Sequence, residues 1–367
     1  MSRWHKLIHQ TETQFDRALA HLDGDDDPLL IQGYLGYGVP GRAFIMGRVL
    51  EDRGVAEAEQ GDSLWENFKG AWKRFRSGEV AHAALSVSLP GTPFEQVIRA
   101  NDEGYLAQWL DYPETPTDDD NLLALALTLT DPVRTPSVQG EVSVMIPPAS
   151  AQFGVISDID DTVLQTGATS MRSLAKQVLF GNAYTRLPFE GVAAFYQALV
   201  GPGNPLFYVS SSPWNLYDVL VEFMELNGIP LGPVILRDWG ISATELLPTS
   251  HGTHKQDAIR QILTTYPDLP FILIGDSGQE DPEIYHEIIH DHPKRILAIY
   301  IRDIDQTAER RASVQRLAEE VERDGGILLL TPDTVRAAEH AASIGLIPKE
   351  AVAKVAERRA EDSERPS

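Results

Sequence analysis

Apolar residues recur at helical spacing from residue 3 to 22, where Trp4, Leu7, Ile8, Phe15 and Leu19 share one face. The pattern stops at the acidic run Asp23-Gly24-Asp25-Asp26-Asp27. From about residue 31 the texture changes to short strands. Phe44 to Leu50 reads as a strand after a Gly- and Pro-rich turn spanning Gly36 to Gly41. Ala83 to Leu89, Val97 to Arg99, Tyr105 to Trp109, Leu123 to Thr130 and Val142 to Ile146 follow, with a turn at Asn101 to Gly104. Short strands separated by turns predict a β-sandwich. Residues 62–76 depart from it: Leu64, Trp65, Phe68, Trp72 and Phe75 make one helical face, flanked by Lys69, Lys73, Arg74 and Arg76.

Pro147-Pro148 closes this region, and the rhythm becomes strand, loop, helix. Gly154 to Ser157, Leu206 to Val209, Val234 to Leu236, Phe271 to Ile274, Ile296 to Ile301 and Ile327 to Leu330 read as strands. Helical patterns lie between them at 192–200, 215–227, 255–265, 282–290 and 307–323. The alternation predicts a parallel sheet with helices on both faces. A last helix, 333–343, precedes a charged stretch read as a frayed helix and then disorder. The expected organisation is an N-terminal amphipathic helix (1–30), a β-sandwich-like domain with an inserted helix (31–149), an α/β domain (150–348) and a charged tail (349–367).

Composition narrows the function. Of 367 residues, 54 are Asp or Glu and 31 are Lys or Arg, a net charge of −23. So acidic a chain repels phosphate backbones, which argues against nucleic acid as a partner. It disfavours anionic membranes except through a local basic patch. The absence of Cys excludes disulfides, zinc–thiolate sites and cysteine nucleophiles. No apolar run of about eighteen residues occurs, and Met1 to Gln10 lacks a signal-peptide pattern. The expected location is cytoplasmic, with peripheral membrane contact as an extension of it.

In an open α/β sheet, ligands bind beyond the carboxyl ends of the strands. Val155-Ile156-Ser157 runs into Asp158-Ile159-Asp160-Asp161-Thr162, and Phe207-Tyr208-Val209 into Ser210-Ser211-Ser212. The strand 271–274 runs into Gly275-Asp276-Ser277-Gly278-Gln279-Glu280-Asp281, and His254-Lys255 opens the helix before it. Together these fit phosphoryl transfer through an aspartyl-phosphate. Asp158 is the nucleophile, splitting hydrolysis into two displacements. Asp160, two residues on, protonates the leaving oxygen and then takes a proton from water. Ser210 donates to a phosphate oxygen, with Ser211 beside it, and Lys255 neutralises charge. Clustered carboxylates such as Asp158 and Asp160 call for a cation, and Mg²⁺ suits such oxygen ligands, with Asp276 completing its shell. Plainer roles compete: Ser212-Pro213 reads as a helix N-cap with Pro at N1, Asp281-Pro282 as another helix start, and Lys255 alone as a surface lysine. His251 and His254 do not suit a Mg²⁺-type site.

The order Asp-x-Asp-x-Thr, Ser, Lys, Gly-Asp-x-x-x-x-Asp resembles the haloacid dehalogenase superfamily. More narrowly, the strings from Ile156 to Val163, Phe207 to Trp214, His254-Lys255 and Ile274 to Tyr285 resemble the actin-patch phosphatidate phosphatase catalytic domain. The resemblance covers about residues 150–345, flanking positions included. Gly36-Tyr37-Gly38 and Gly47-Arg48-Val49-Leu50 resemble the N-terminal region of its bacterial members. It implies a haloacid-dehalogenase-like, doubly wound parallel sheet beside the β-sandwich-like domain, with the roles just given for Asp158, Asp160, Ser210, Lys255 and Asp276, and with Asp281 in support of the Mg²⁺ site. The implied activity is Mg²⁺-dependent hydrolysis of phosphatidate or a related lipid phosphate. A phosphatase of small soluble phosphomonoesters and a phospho-accepting signalling module are the alternatives. Asp160 separates the last, because a stable phosphoacceptor needs no acid–base there. Two stretches are candidates for lipid contact: 62–76, and 169–190 with Met171, Leu174, Val178, Leu179 and Phe180 beside Arg172 and Lys176.

Overall fold

The structure is a computed structural model that describes residues 28–51, 80–115, 117, 121–165, 188–201, 203–237, 251–304 and 307–364, the first three residues of the 251–304 stretch by backbone alone. The sequence readings on 3–22, on 62–76 and on 169–190 before Pro188 lie outside the described residues. The chain divides into two units, Met1–Pro147 and Pro148–Ser367.

The first unit holds β1 (Leu29–Val39), β2 (Arg42–Glu51), β3 (Ala84–Ser88), β4 (Glu95–Arg99), β5 (Tyr105–Asp111), β6 (Leu122–Asp131) and β7 (Gln139–Met145). They form one seven-stranded sheet in the order β4-β3-β6-β7-β1-β2-β5, where a sandwich would separate two sheets. Neighbours are antiparallel except β1 and β7, which run parallel. The two edge strands, β4 and β5, are joined by the turn after Arg99. There the Asn101 carboxamide oxygen accepts the Glu103 and Tyr105 amides at 3.0 and 2.8 Å. One apolar cluster draws on all seven strands, including Ile31, Ile45, Leu85, Ile98, Leu110, Leu125 and Val142. The turn expected across Gly36 to Gly41 is shorter: β1 continues to Val39, and only Pro40 and Gly41 turn. Gly36 and Gly38 serve close strand approach instead. A Cβ on them would lie 2.3 Å from the Phe44 carbonyl oxygen and 2.2 Å from that of Arg42.

The second unit contains β8 (Gly154–Ser157), β9 (Leu206–Pro213), β10 (Val234–Arg237), β11 (Phe271–Asp276), β12 (Ile296–Arg302) and β13 (Leu328–Thr331). Its helices are α1 (Val192–Val200), α2 (Tyr217–Leu226) behind a 3₁₀ turn at Trp214–Leu216, α3 (His251–Thr265), α4 (Asp281–Asp291), α5 (Ala308–Arg323), α6 (Thr334–Ser343) and α7 (Lys349–Ser363). The sheet is all parallel, in the order β10-β9-β8-β11-β12-β13. Continuous apolar runs suit strands buried on both faces, and β8 and β11 are buried along their whole length. The chain leaves β8 toward β9 and β10, then returns to β8's other side as β11. Strand order therefore reverses between β8 and β11, where doubly wound sheets open a crevice at the carboxyl ends.

The charged stretch expected to fray is the helix α7. Its Asp362 carboxylate accepts the Gly191 amide at 3.0 Å, and Arg359 pairs with Glu190 at 3.4 Å and Asp333 at 3.2 Å. Val355, fully buried, lies seven residues before Asp362 on the same helical face. Local composition hid this docking because the partners lie far away in sequence. No helix among the described residues is long and apolar enough to cross a membrane.

Candidate active site

Asp158 follows the last residue of β8, and its amide donates to the Ile274 carbonyl of β11 at 2.9 Å. The loop it begins is fixed from below. Ser157 Oγ donates to the Asp158 carbonyl at 2.6 Å and lies 2.7 Å from the Tyr196 hydroxyl of α1, which must then be the donor. Tyr285 of α4 donates to the Ile274 carbonyl at 2.9 Å. Beyond Asp158 the chain turns tightly: the amides of Thr162, Val163 and Leu164 all donate to the Ile159 carbonyl. The turn needs a left-handed residue, and Asp161 takes it at φ 55°.

Lys255, on the first turns of α3, is buried between two carboxylates. Its ammonium lies 2.9 Å from Asp158 Oδ1 and 2.6 Å from Asp281 Oδ1. Burial alone would lower the lysine, but Asp158 and Asp281 outweigh it and hold it above the usual range. Burial pushes Asp158 well up; Lys255 opposes this, and Asp281, Asp160 and Asp276 add repulsion. The surface-lysine reading of Lys255 is thus overturned, as is the simple-cap reading of Asp281. Asp281 is fully buried, and its Oδ2 accepts the Asp276 amide at 3.2 Å. Glu280, not Asp281, occupies the N-cap position of α4.

Asp276 ends β11. Its Oδ1 accepts the Gly278 and Gln279 amides at 2.7 and 3.0 Å. Burial and Asp281 push its carboxyl up to about 8, against Lys255 and the Gly278 amide. Asp158, Asp276 and Asp281 present carboxylate oxygens within 4.8 Å of one another. Three buried carboxyl groups repel one another when ionised and share a single ammonium, and the donors are all oxygen. That set fits a hard divalent cation such as Mg²⁺ and not a soft metal.

The fourth expected ligand, Asp160, stands outside that trio. Its Oδ2 accepts the hydroxyls of Ser210 at 2.7 Å and Ser212 at 3.0 Å. Burial raises its carboxyl, the two serine hydroxyls oppose the rise, and so does Lys255. Ser210 is therefore seated on Asp160, while Ser211, also buried, lies next to it along β9. The N-cap reading of Ser212 fails. The strand continues to Pro213, which caps the 3₁₀ turn, and the Ser212 hydroxyl goes to Asp160.

Three positions that support the candidate site escaped sequence reasoning: Ser212, Gln279 and Arg310. Gln279 Nε2 donates to the Asp160 carbonyl at 3.3 Å and to Asp276 Oδ2 at 3.5 Å, tying the two loops together. Arg310 of α5 donates to the carbonyls of Ser277 and Gln279 and forms a two-pronged pair with Glu283. It grips the loop between Asp276 and Asp281 from outside. The Ser-x-Ser spacing in a strand was a usable signal for Ser212, since alternate residues share a face. Nothing local marks Arg310.

Residues 153–303 match the family model described as Phosphatidate phosphatase APP1, catalytic domain, and every site residue from Asp158 to Asp281 falls within that match. Over 151 residues the chain is 36% identical to the Saccharomyces cerevisiae protein named Phosphatidate phosphatase APP1, covering 41% of this chain and 26% of that one. Over 155 residues it is 30% identical to the Schizosaccharomyces pombe protein called Uncharacterized protein C29B5.04c, covering 41% of this chain and 25% of the other. The chain thus spans about a quarter of the length of these curated relatives. Among solved structures, a HAD family hydrolase from Deinococcus radiodurans R1, with bound phosphate and sodium, aligns over 54% of this chain and 99% of that one, at 14% identity and a TM-score of 0.32. The likeness to the phosphatidate phosphatase APP1 catalytic domain is thus carried by residues 153–303, 41% of the chain.

Proposed function

We propose that the second unit is a Mg²⁺-dependent phosphatase that works through an aspartyl-phosphate on Asp158 and takes a lipid phosphate, phosphatidate or a close relative, as substrate. One observation carries the mechanism. Two buried carboxylates, two residues apart just beyond β8, have separate surroundings: Asp158 sits on Lys255 among other carboxylates, and Asp160 sits on two serine hydroxyls. Neighbouring acids in different surroundings suit a nucleophile and an acid–base pair.

In the first half-reaction, Asp158 attacks phosphorus, the bond from phosphorus to the leaving oxygen breaks, and Asp160 gives that oxygen its proton. In the second, water attacks the phosphorus of the acyl phosphate and loses a proton to Asp160, which releases phosphate and restores Asp158. Lys255, held at 2.9 Å from Asp158, favours the ionised nucleophile and offsets the charge of the incoming phosphoryl group. Asp158, Asp276 and Asp281 would hold Mg²⁺, which supplies charge neutralisation of phosphate oxygens when bound. The lipid assignment is supported by the name of the yeast relative that is 36% identical over 151 residues.

The test is phosphate release by the full chain from vesicles containing phosphatidate and from soluble glycerol 3-phosphate, with Mg²⁺ and with EDTA. The expected result is release that stops in EDTA and favours the vesicles. Activity undiminished in metal-free buffer would overturn the metal assignment, and preference for the soluble ester would overturn the lipid assignment.

A further inference from the structure

We propose that Ser212 is a positioning residue that fixes the orientation of the Asp160 carboxyl group, one oxygen anchored and the other kept for the reacting atoms; this deepens the phosphatase reading above and rests on it. The argument begins with strand geometry. In β9, Ser210 and Ser212 are two residues apart, so their side chains project to the same side, and both meet Asp160. The Ser212 amide donates to Ser210 Oγ at 2.9 Å. With that lone pair engaged, Ser210 directs its own hydrogen to Asp160 Oδ2 at 2.7 Å. Ser212 Oγ directs its hydrogen to the same oxygen at 3.0 Å. The three links close a ring through one backbone amide and two hydroxyls, and all three residues are at most 1% exposed.

Both serine hydroxyls thus anchor the same oxygen, Oδ2, and leave Oδ1 as the oxygen not held by β9. Among the described residues Oδ1 is buried and has no hydrogen-bond partner. A buried oxygen without a partner is costly, and a leaving-group oxygen or an attacking water is a partner of the right kind. The ring thus reserves one oxygen for proton transfer and uses the other as an anchor. Ser212 touches neither phosphorus nor leaving group in this scheme and acts only through Asp160.

The experiment compares kcat/KM for an alkyl ester, glycerol 3-phosphate, with that for p-nitrophenyl phosphate, at saturating Mg²⁺, in the full chain and in Ser212→Ala. Kcat/KM reports the steps up to leaving-group departure. An alkoxide must be protonated as it leaves, whereas p-nitrophenolate is stable unprotonated. Loss of a correctly placed acid therefore falls chiefly on the alkyl ester. General-acid contributions of roughly 10²–10⁴ in rate set the available range. The expected result is that Ser212→Ala lowers kcat/KM at least about tenfold more for the alkyl ester than for the aryl ester, and that Ser212→Thr brings the ratio back toward wild type. Ser212→Cys keeps the shape and weakens the donor, so it shifts the ratio in the same direction by less. It reads the proposal even where the alanine variant melts early. Equal fractional losses on both esters, or no loss, in a variant with wild-type melting temperature would overturn the role of Ser212 and leave the phosphatase reading standing. A wild-type chain that releases phosphate from neither ester nor phosphatidate vesicles would overturn the phosphatase reading itself.

Discussion

Replacing Lys255 by methionine removes one charge and leaves the stem's bulk. Lys255 is 3% exposed, and its ammonium sits within 3 Å of both Asp158 and Asp281. At an effective dielectric of about 20, a pair at ~4 Å is worth about 4 kcal/mol before desolvation, and both contacts here are shorter. Removing one partner of such a buried pair costs about 3–5 kcal/mol, because the other charge stays buried and unpaired. For a unit of this size about 1 kcal/mol moves the melting temperature by roughly 2–4 °C, so a fall of roughly 6–20 °C is expected in EDTA. Adding Mg²⁺ supplies the missing positive charge among the carboxylates. The Mg²⁺-induced rise in melting temperature is therefore larger in Lys255→Met than in wild type, while phosphatase activity stays low because the charge beside Asp158 is gone. Scanning fluorimetry across a Mg²⁺ series, with an activity assay on the same preparations, measures both quantities. A variant as stable as wild type in EDTA, or one stabilised less by Mg²⁺, would refute the electrostatic account of the cluster.

Arg310→Met releases the carbonyls of Ser277 and Gln279 and so loosens the loop that presents Asp276 and Asp281. Outer partners of metal ligands commonly contribute about 10–100-fold in metal affinity, so the Mg²⁺ concentration for half-maximal activity should rise about tenfold; an unchanged Mg²⁺ titration would contradict the clamp. Burial holds His340 below the usual imidazole range, with its Nδ1 at 3.0 Å from the Tyr300 hydroxyl. The unfolded chain then binds the proton more readily, so this site costs no stability above pH 6.5 and destabilises as pH falls toward and through its folded value. His340→Gln should flatten that part of a melting profile between pH 7 and 5, and an unchanged slope would remove His340 as its source.

The rhythm of strand, loop and helix after Pro148 was legible because parallel strands are apolar along their length: Val155-Ile156 and Phe271 to Ile274 have no polar face to confuse the reading. The residues after those strands were legible for the same reason, since abrupt carboxylates after apolar runs mark strand ends. What stayed hidden depended on partners distant in sequence. Ser212 looked like a cap because Pro213 follows it, yet its hydroxyl finds Asp160 across 52 positions. The stretch after residue 348 looked like a frayed tail because its charges dominate, yet Asp362 reaches Gly191 across 171 positions. Gly36 and Gly38 suggested a turn because glycine is common there, and only the approach of β2 shows why strand positions lack a Cβ. The first unit's sheet order, in which the neighbours of β1 are β2 and β7, likewise follows from long-range pairing that alternation cannot reveal.

The most direct measurement of the central claim is chemical trapping of the covalent intermediate. The Asp160→Asn variant, turned over with Mg²⁺ on p-nitrophenyl phosphate, whose leaving group needs no acid, and quenched with borohydride, should accumulate an acyl phosphate that reduction converts to homoserine. Peptide mass spectrometry should then find homoserine at position 158 and nowhere else, with none in an Asp158→Asn control. Trapping at another carboxylate, or near-wild-type turnover by Asp158→Asn, would contradict the account.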